Sequence, residues 1–195
     1  MKKSLVLLSG GIDSYVALAL EKGAGFECST LSFAYEGQPI PELRAIREIS
    51  NRENVINYSI FHPSISFLGQ SLPIRSFVPN NLLYYSMAVV FAGNNGFQRV
   101  VGGQNRDDFT YCSDAGNSFY ESFNNLVKSY SFKDVQIFQP LLDKTKREVV
   151  ELGLSLNLPL KITWSCEGRG PGTCGVCPNC TSRHKIFNDL GISLK

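Results

Sequence analysis

Two spacings of hydrophobic residues alternate along this chain. Short apolar runs bounded by turn residues predict β-strands at Ser4–Leu8, Phe26–Tyr35, Asn54–Ile60, Arg99–Gly103 and Val135–Phe138. Between them, apolar residues recur at helical intervals, which predicts helices over Asp13–Lys22, Pro41–Glu53, Asn81–Ala92, Ser118–Ser129 and Lys144–Leu156. Thr145 followed by Glu148 reads as a reciprocal cap at the start of the last of these, which ends near Leu156 with Pro159 beyond. Strands alternating with helices predict an α/β fold, a parallel sheet with helices on both faces and right-handed crossovers. Ligands in such sheets sit outside the carboxyl ends of the strands. The segments Ser9–Ser14, Tyr35–Gln38 and Gly102–Asp108, with the polar stretch after the last, are therefore expected to share one cleft.

Length and composition narrow this picture without redirecting it. A chain of 195 residues fits one domain, 1–195, with a sizeable core. Hydrophobic residues at 43% and charged ones at 18% are ordinary for a soluble globular protein. The net charge of +2 is spread rather than striped, so no direct nucleic-acid contact is expected. The longest apolar stretch, Leu82–Gly93, contains Ser86 and is too short to span a bilayer. Lys2-Lys3 is followed by too short an apolar run for a secretory signal, so the expected location is cytoplasmic. Only His62 and His184 could supply imidazole, and both read as surface residues, which disfavours histidine-based catalysis.

Ser9-Gly10-Gly11-Ile12-Asp13-Ser14 joins the first strand to the first helix. Strand, glycine turn and helix form a layout that binds phosphate. Adjacent glycines allow positive φ and close approach to an anion, and the helix N-terminus points amides and a partial positive charge at it. A Walker A loop would be longer and end in Gly-Lys-Ser/Thr, and a dinucleotide fingerprint needs a third glycine; neither fits. The structural alternative is simply a helix capped by a side chain after a tight turn.

Near the other end, Cys166, Cys174, Cys177 and Cys180 are spaced C-x7-C-x2-C-x2-C among glycines and prolines. Four soft sulfurs are what a closed tetrahedral zinc site requires, and in a reducing compartment such cysteines are metal ligands more often than disulfides. A redox pair or an iron–sulfur cluster is the competing reading. Cys28 lies in an apolar run and reads as a small hydrophobe. Cys112 sits in a polar loop with no histidine nearby in sequence to activate it as a nucleophile.

Taken together, the motifs carry a resemblance. Ser9–Ser14 resembles the PP-loop of the ATP pyrophosphatases, which split ATP between its α- and β-phosphates. The order SGGIDS, then Gly103-Gln104-Asn105 with Asp108, then Gln139-Pro140-Leu141-Leu142-Asp143-Lys144-Thr145-Lys146-Arg147-Glu148, then Thr163-Trp164-Ser165-Cys166 leading into the cysteines is similar to the QueC family over nearly the whole chain. Those enzymes are 7-cyano-7-deazaguanine synthases of the queuosine pathway. The resemblance implies a Rossmann-like PP-loop domain with a four-cysteine zinc knob at 164–185. It implies ATP and Mg²⁺ as cofactors, structural Zn²⁺ on Cys166, Cys174, Cys177 and Cys180, and adenylation of the carboxylate of 7-carboxy-7-deazaguanine. Ammonia then gives an amide, and a second adenylation gives the nitrile. Ser9, Gly10, Gly11, Ile12, Asp13, Ser14 and Tyr15 are expected at the nucleotide, with Asp13 and Ser14 catalytic. Asn81, Asn105, Asp108 and Asp114 are expected at the substrate ring.

The sequence also departs from the family. Tyr-Gly-Gln-Arg-His reads here as Tyr35-Glu36-Gly37-Gln38-Pro39-Ile40, Gly-Arg-Asn as Pro79-Asn80-Asn81, and Tyr-Pro-Asp-Cys-Arg as Cys112-Ser113-Asp114-Ala115-Gly116. Three arginines and a histidine are thereby lost, with Arg106 and Arg75 as the replacements at hand. Losing cations from an anion-binding cleft weakens anion binding or changes which acceptor fits. Alongside the synthase stand a divergent enzyme that stops at the adenylate or amide or passes the activated carboxylate to another amine, even one on a protein, and a nucleotide-binding module without turnover. A tRNA-thiolating enzyme would need a basic RNA surface that the charge balance does not supply. The resemblance is also compatible with a homodimer or a protein partner, for which Tyr84, Tyr85 and Phe91 offer an aromatic surface unless their helix is buried.

Overall fold

A computed structural model describes residues 1–61, 64–67, 70–73, 80–130, 132, 134–168 and 170–193, with 64–67 and 70–73 as backbone only. His62, Arg75 and Pro79 lie outside the described residues. The expected parallel sheet is present. Its strands are β1 (Lys3–Leu7), β2 (Glu27–Ala34), β3 (Asn57–Phe61), β6 (Arg99–Val101) and β7 (Gln136–Phe138), in the order β3-β2-β1-β6-β7. All neighbours pair in parallel, with Leu7 opposite Leu31, Val6 opposite Val101 and Val101 opposite Phe138.

The alternation of side chains along each strand divides the core in two. Val6, Leu8 and Val101 pack with α1 (Ile12–Gly23), α2 (Ile40–Glu53), α5 (Lys146–Ser155) and α6 (Pro178–Asp189) on one face. Leu5, Leu31, Val100 and Ile137 pack with α3 (Asn81–Asn94) and α4 (Asn117–Lys128) on the other. Tyr85 is fully buried in this second layer, while Tyr84 and Phe91 are half-buried, so the aromatic residues of α3 chiefly serve the core.

The chain runs outward from β1 through β2 to β3, then returns to the other side of β1 for β6 and β7. The strand order therefore reverses between β1 and β6, which opens a crevice at their carboxyl ends. This crevice receives both Ser9–Ser14 and the loop after Val101.

The structure differs from expectation in three places. β3 begins at Asn57 rather than Asn54, because Asn54 takes the left-handed conformation (φ 52°) and stops α2. An antiparallel pair, β4 (Ser64–Phe67) with β5 (Gln70–Pro73), follows β3 outside the main sheet. The cysteine-rich end also contains a twelve-residue helix, α6, with Pro178 in its first turn. Its buried residues are Cys180, Arg183 and Phe187, and an arginine within the inner stripe hides the helical pattern. Among the described residues no helix is long and apolar enough to cross a membrane.

Candidate active site

Gly10 is held at φ +81°, and a Cβ there would lie 3.1 Å from the Glu42 carbonyl and 3.2 Å from Ala45 and Ile46. Both conformation and space demand glycine. Ser14 Oγ donates to the Gly11 carbonyl (3.0 Å), and with its one proton used there it accepts from Ser9 Oγ (3.2 Å) and Ser9 N–H (3.3 Å). α1 has Gly11 at its N-cap and no side-chain cap. The capped-helix alternative therefore fails, and the first-turn amides and the positive end of the helix dipole face the crevice. Ile12 is fully buried and can offer the cleft only its amide. Tyr15 turns away altogether: its amide donates to the Gly11 carbonyl and its buried phenol to Glu53 (3.0 Å).

Asp13 forms the crossing point of the site. Its Oδ1 accepts from Asn105 Nδ2 (3.1 Å) and its Oδ2 from Lys146 Nζ, so residues far apart in sequence meet on one carboxylate. Lys146 opens α5 behind the Thr145–Glu148 capping box, and its amide donates to Asp107 (2.8 Å). Asn105 is buried and caps the short turn Arg106–Thr110, with Asp108 accepting from the Asn105 amide (2.9 Å). Burial holds the Asp108 carboxyl above the ordinary range for a carboxylate. Gly103 lets this loop lie against the glycine turn and the start of α1: a Cβ there would sit 2.7 Å from Ser14 N.

A second wall comes from α3 and the loop before α4. Asp114 is buried and accepts from the Asn81 amide (2.7 Å) and side chain (3.3 Å). Gln104 donates to Asn81 (3.3 Å) and accepts from the Tyr85 hydroxyl (2.6 Å), which accepts in turn from Gln139 (2.6 Å). Asn81, Asn105 and Asp108 thus reach the cleft, whereas Asp114 is spent on holding Asn81.

Three adjoining cavities surround these groups. One of about 360 Å³ is lined by Leu31, Phe33, Tyr84, Tyr85, Asn81 and Gln104 above Asp13 and Ser14. Its aromatic walls and paired amides suit a flat heteroaromatic ring. A polar one of about 300 Å³ lies over Ser9, Gly11, Glu42 and Lys146, and it continues into a third of about 650 Å³ toward Asp107, Glu167 and Asn179. Tyr35 lines both smaller cavities and donates to Glu42 (2.9 Å), which Gln38 also holds (2.8 Å). Among the described residues lining the three, Lys146 is the one cation, against the carboxylates of Asp13, Glu42, Asp107, Asp108 and Glu167. Arg106 lines none of them and pairs loosely with Glu148 (3.9 Å).

The sulfurs of Cys166, Cys174, Cys177 and Cys180 lie within 4.8 Å of one another, and none is in a disulfide. A tetrahedral ion with bonds of about 2.3 Å spaces its sulfurs at about 3.8 Å, close to the 4.0 Å between Cys174 and Cys180. Amides of Gly168 and Cys174 donate to the Cys166 sulfur (3.2 and 3.3 Å), as thiolates require. The four residues fit a closed metal site with no position left for substrate. This knob is tied to the glycine turn, since the Trp164 amide donates to the Gly10 carbonyl (2.8 Å). The other cysteines stand apart. Burial raises the thiol pKa of both, Cys28 to about 11, and Cys28 packs against the core. His184 is half-buried rather than on the surface.

Lys146, Gln104 and Trp164 lie in motifs that carried the resemblance but were given no role there, and Tyr85 was read only as part of an aromatic surface. Lys146 also stood out as a basic first residue behind a helix cap, where carboxylates are the rule.

An uncapped glycine turn at the switch point of a parallel sheet defines a PP-loop-type α/β protein. Solved structures with this fold include an NMN synthetase from Francisella tularensis (TM-score 0.56, 21% identity, 99% of this chain and 73% of that one). A 4-thiouridine synthetase bound to RNA and ATP is also similar (TM-score 0.57, 17% identity, 97% of this chain and 50% of that one). The family described as "Queuosine biosynthesis protein QueC" matches over residues 3–76 and 67–191, and the chain belongs to it. Relatives named 7-cyano-7-deazaguanine synthase include one from Coxiella burnetii (strain RSA 493 / Nine Mile phase I), 30% identical over 98% of this chain and 96% of its own. Another, from Trichodesmium erythraeum, is 28% identical over 98% of both.

Proposed function

We propose that this chain is an ATP-dependent ligase that activates the carboxylate of 7-carboxy-7-deazaguanine and converts it, with ammonia, to 7-cyano-7-deazaguanine. The observation that carries this reading is the uncapped N-terminus of α1 at Gly11–Ser14, open to a cavity that adjoins a flat aromatic pocket. The names of the relatives support the choice of product.

In this reading the phosphates of ATP lie against the amides of Gly11–Ser14, with Lys146 as their cation. A carboxylate oxygen of the base attacks the α-phosphorus, and the bond from that phosphorus to the bridging oxygen of pyrophosphate breaks. Ammonia then attacks the acyl carbon, AMP departs and the surplus proton is lost, leaving the amide. The amide oxygen then attacks the α-phosphorus of a second ATP, displacing pyrophosphate, and leaves as AMP while the nitrogen gives up both of its protons, to give the nitrile. Asp13 and Asp108 supply the oxygen donors that suit Mg²⁺, which when bound offsets charge on the phosphates. Asn81 and Gln104 face the ring, Asp114 fixes Asn81, and Asn105 aligns Asp13.

Lys146 as the one cation among the described residues lining the cleft favours a second reading, in which the activated carboxylate passes to a different amine. One assay separates the two. The purified protein is incubated with Mg-ATP and 7-carboxy-7-deazaguanine, with and without ammonium, and AMP and the base are followed by mass spectrometry. AMP with nitrile supports the synthase. AMP or an acyl-adenylate that ammonium leaves unconverted supports the second reading, and no AMP in either condition refutes both.

A further inference from the structure

Arg183 on α6 is buried, at 8% exposure, yet among the described residues no carboxylate lies within ion-pair reach. Its guanidinium donates to the Leu160 carbonyl (2.9 Å), Thr163 Oγ1 (2.7 Å) and Ser165 Oγ (3.2 Å), and it stacks 4.5 Å from the Phe187 ring. Every acceptor is neutral and belongs to one short segment. A buried charge needs a counter-charge. The nearest candidate on its own helix is Cys180, one turn earlier, and a divalent ion held by four thiolates carries net negative charge. The segment that Arg183 grips brackets Trp164, whose amide holds the Gly10 carbonyl (2.8 Å) at the point where the phosphate turn takes positive φ. Thr163 is buried, and its hydroxyl donates to the Leu160 carbonyl (2.6 Å), so the grip is rigid.

We infer that Arg183 is a positioning residue for nucleotide binding: it takes the metal–thiolate centre as its counter-ion and holds residues 163–165 so that Trp164 fixes Gly10. The metal centre thereby sets the shape of the loop through Trp164. The nucleotide part of this inference rests on the reading of Ser9–Ser14 as a phosphate site, and the loop-order part stands without it.

The test uses the zinc-loaded full chain and two variants. Arg183→Lys keeps the charge but loses the forked grip. Thr163→Val removes the central acceptor and leaves the cysteines and Arg183 in place, so it serves if Arg183→Lys does not fold. Metal content, amide hydrogen exchange at residues 9–14 and Mg-ATP affinity by calorimetry are measured for each, and for the parent after chelation. Full zinc with faster exchange at 9–14, and an ATP dissociation constant raised roughly tenfold or more, is the expected result. Parent-like exchange and affinity in the zinc-loaded variants would overturn the inference. If exchange rises but the parent itself never binds Mg-ATP, the positioning role holds and the nucleotide reading fails.

Discussion

Gly103→Ala isolates how closely the loop after β6 must approach the phosphate turn. Its φ is not in the left-handed region, so the methyl itself, not backbone strain, is the perturbation. That methyl would lie 2.7 Å from Ser14 N, 2.8 Å from Asp13 C and 3.0 Å from Ser14 Cα, all backbone atoms with no rotamer to yield. Recovering an ordinary 3.4 Å contact moves the two backbones apart by about 0.7 Å in a close-packed interior. Overpacking of this kind costs roughly 1–3 kcal/mol, or ~3–10 °C in melting temperature for a domain of this size. The functional effect is expected to be larger. A misplacement near 1 Å costs about a hundredfold in rate, so pyrophosphate release should fall roughly 10- to 100-fold. Gly23→Ala, on the same helix with nothing within 4 Å of the added methyl, is the control, and it should gain a few tenths of a kcal/mol to about 1 kcal/mol without losing activity. A Gly103→Ala protein with parent-like ATP affinity and turnover would refute the close-approach argument.

Other outcomes follow from the same geometry. Asp13→Ala should abolish AMP formation while leaving the fold and zinc content intact; undiminished turnover would remove Asp13 from the chemistry. Cys177→Ser takes away a metal ligand while leaving a hydroxyl that can still cap α6, so metal content should drop and the chain should unfold or aggregate for want of the metal. Retention of one tightly bound metal by a folded Cys177→Ser protein would contradict the four-thiolate site. Asp114→Ala frees Asn81, so KM for the base should rise about tenfold or more while ATP affinity stays near that of the parent, and equal loss of both would refute that division. Asp108 titrates above its ordinary 3.8 in the folded state because burial disfavours its charge. Its contribution to stability is therefore full below the unfolded value and is lost as pH rises through the folded one. Asp108→Asn should flatten that decline in a urea-denaturation series across the acid range, and an unchanged slope would assign it to other groups.

Much of the fold was legible because local rules decided it. Apolar runs of strand length, helical spacing between them and the Thr145–Glu148 cap all reappear within a few residues of expectation. The glycine pair after β1 and the cysteine spacing were readable because each needs only neighbours close in sequence. α6 was not, because Arg183 occupies its inner stripe and makes sense only once residues 160–165 lie across it. Asp114 looked like a ring-reading carboxylate until α3 arrived above it and took both its oxygens.

What the sequence by itself determined is the set of parts: five parallel strands, their covering helices, a glycine turn between β1 and α1 and a cluster of four sulfurs. The strand order was decided by tertiary structure alone, and with it the meeting of Asn105 and Lys146 on the Asp13 carboxylate, the excess of carboxylates among the described residues of the cleft and the tether from Trp164 to Gly10. Side-chain periodicity specifies which face of an element is buried, whereas neighbours distant in sequence are chosen by how those faces pack.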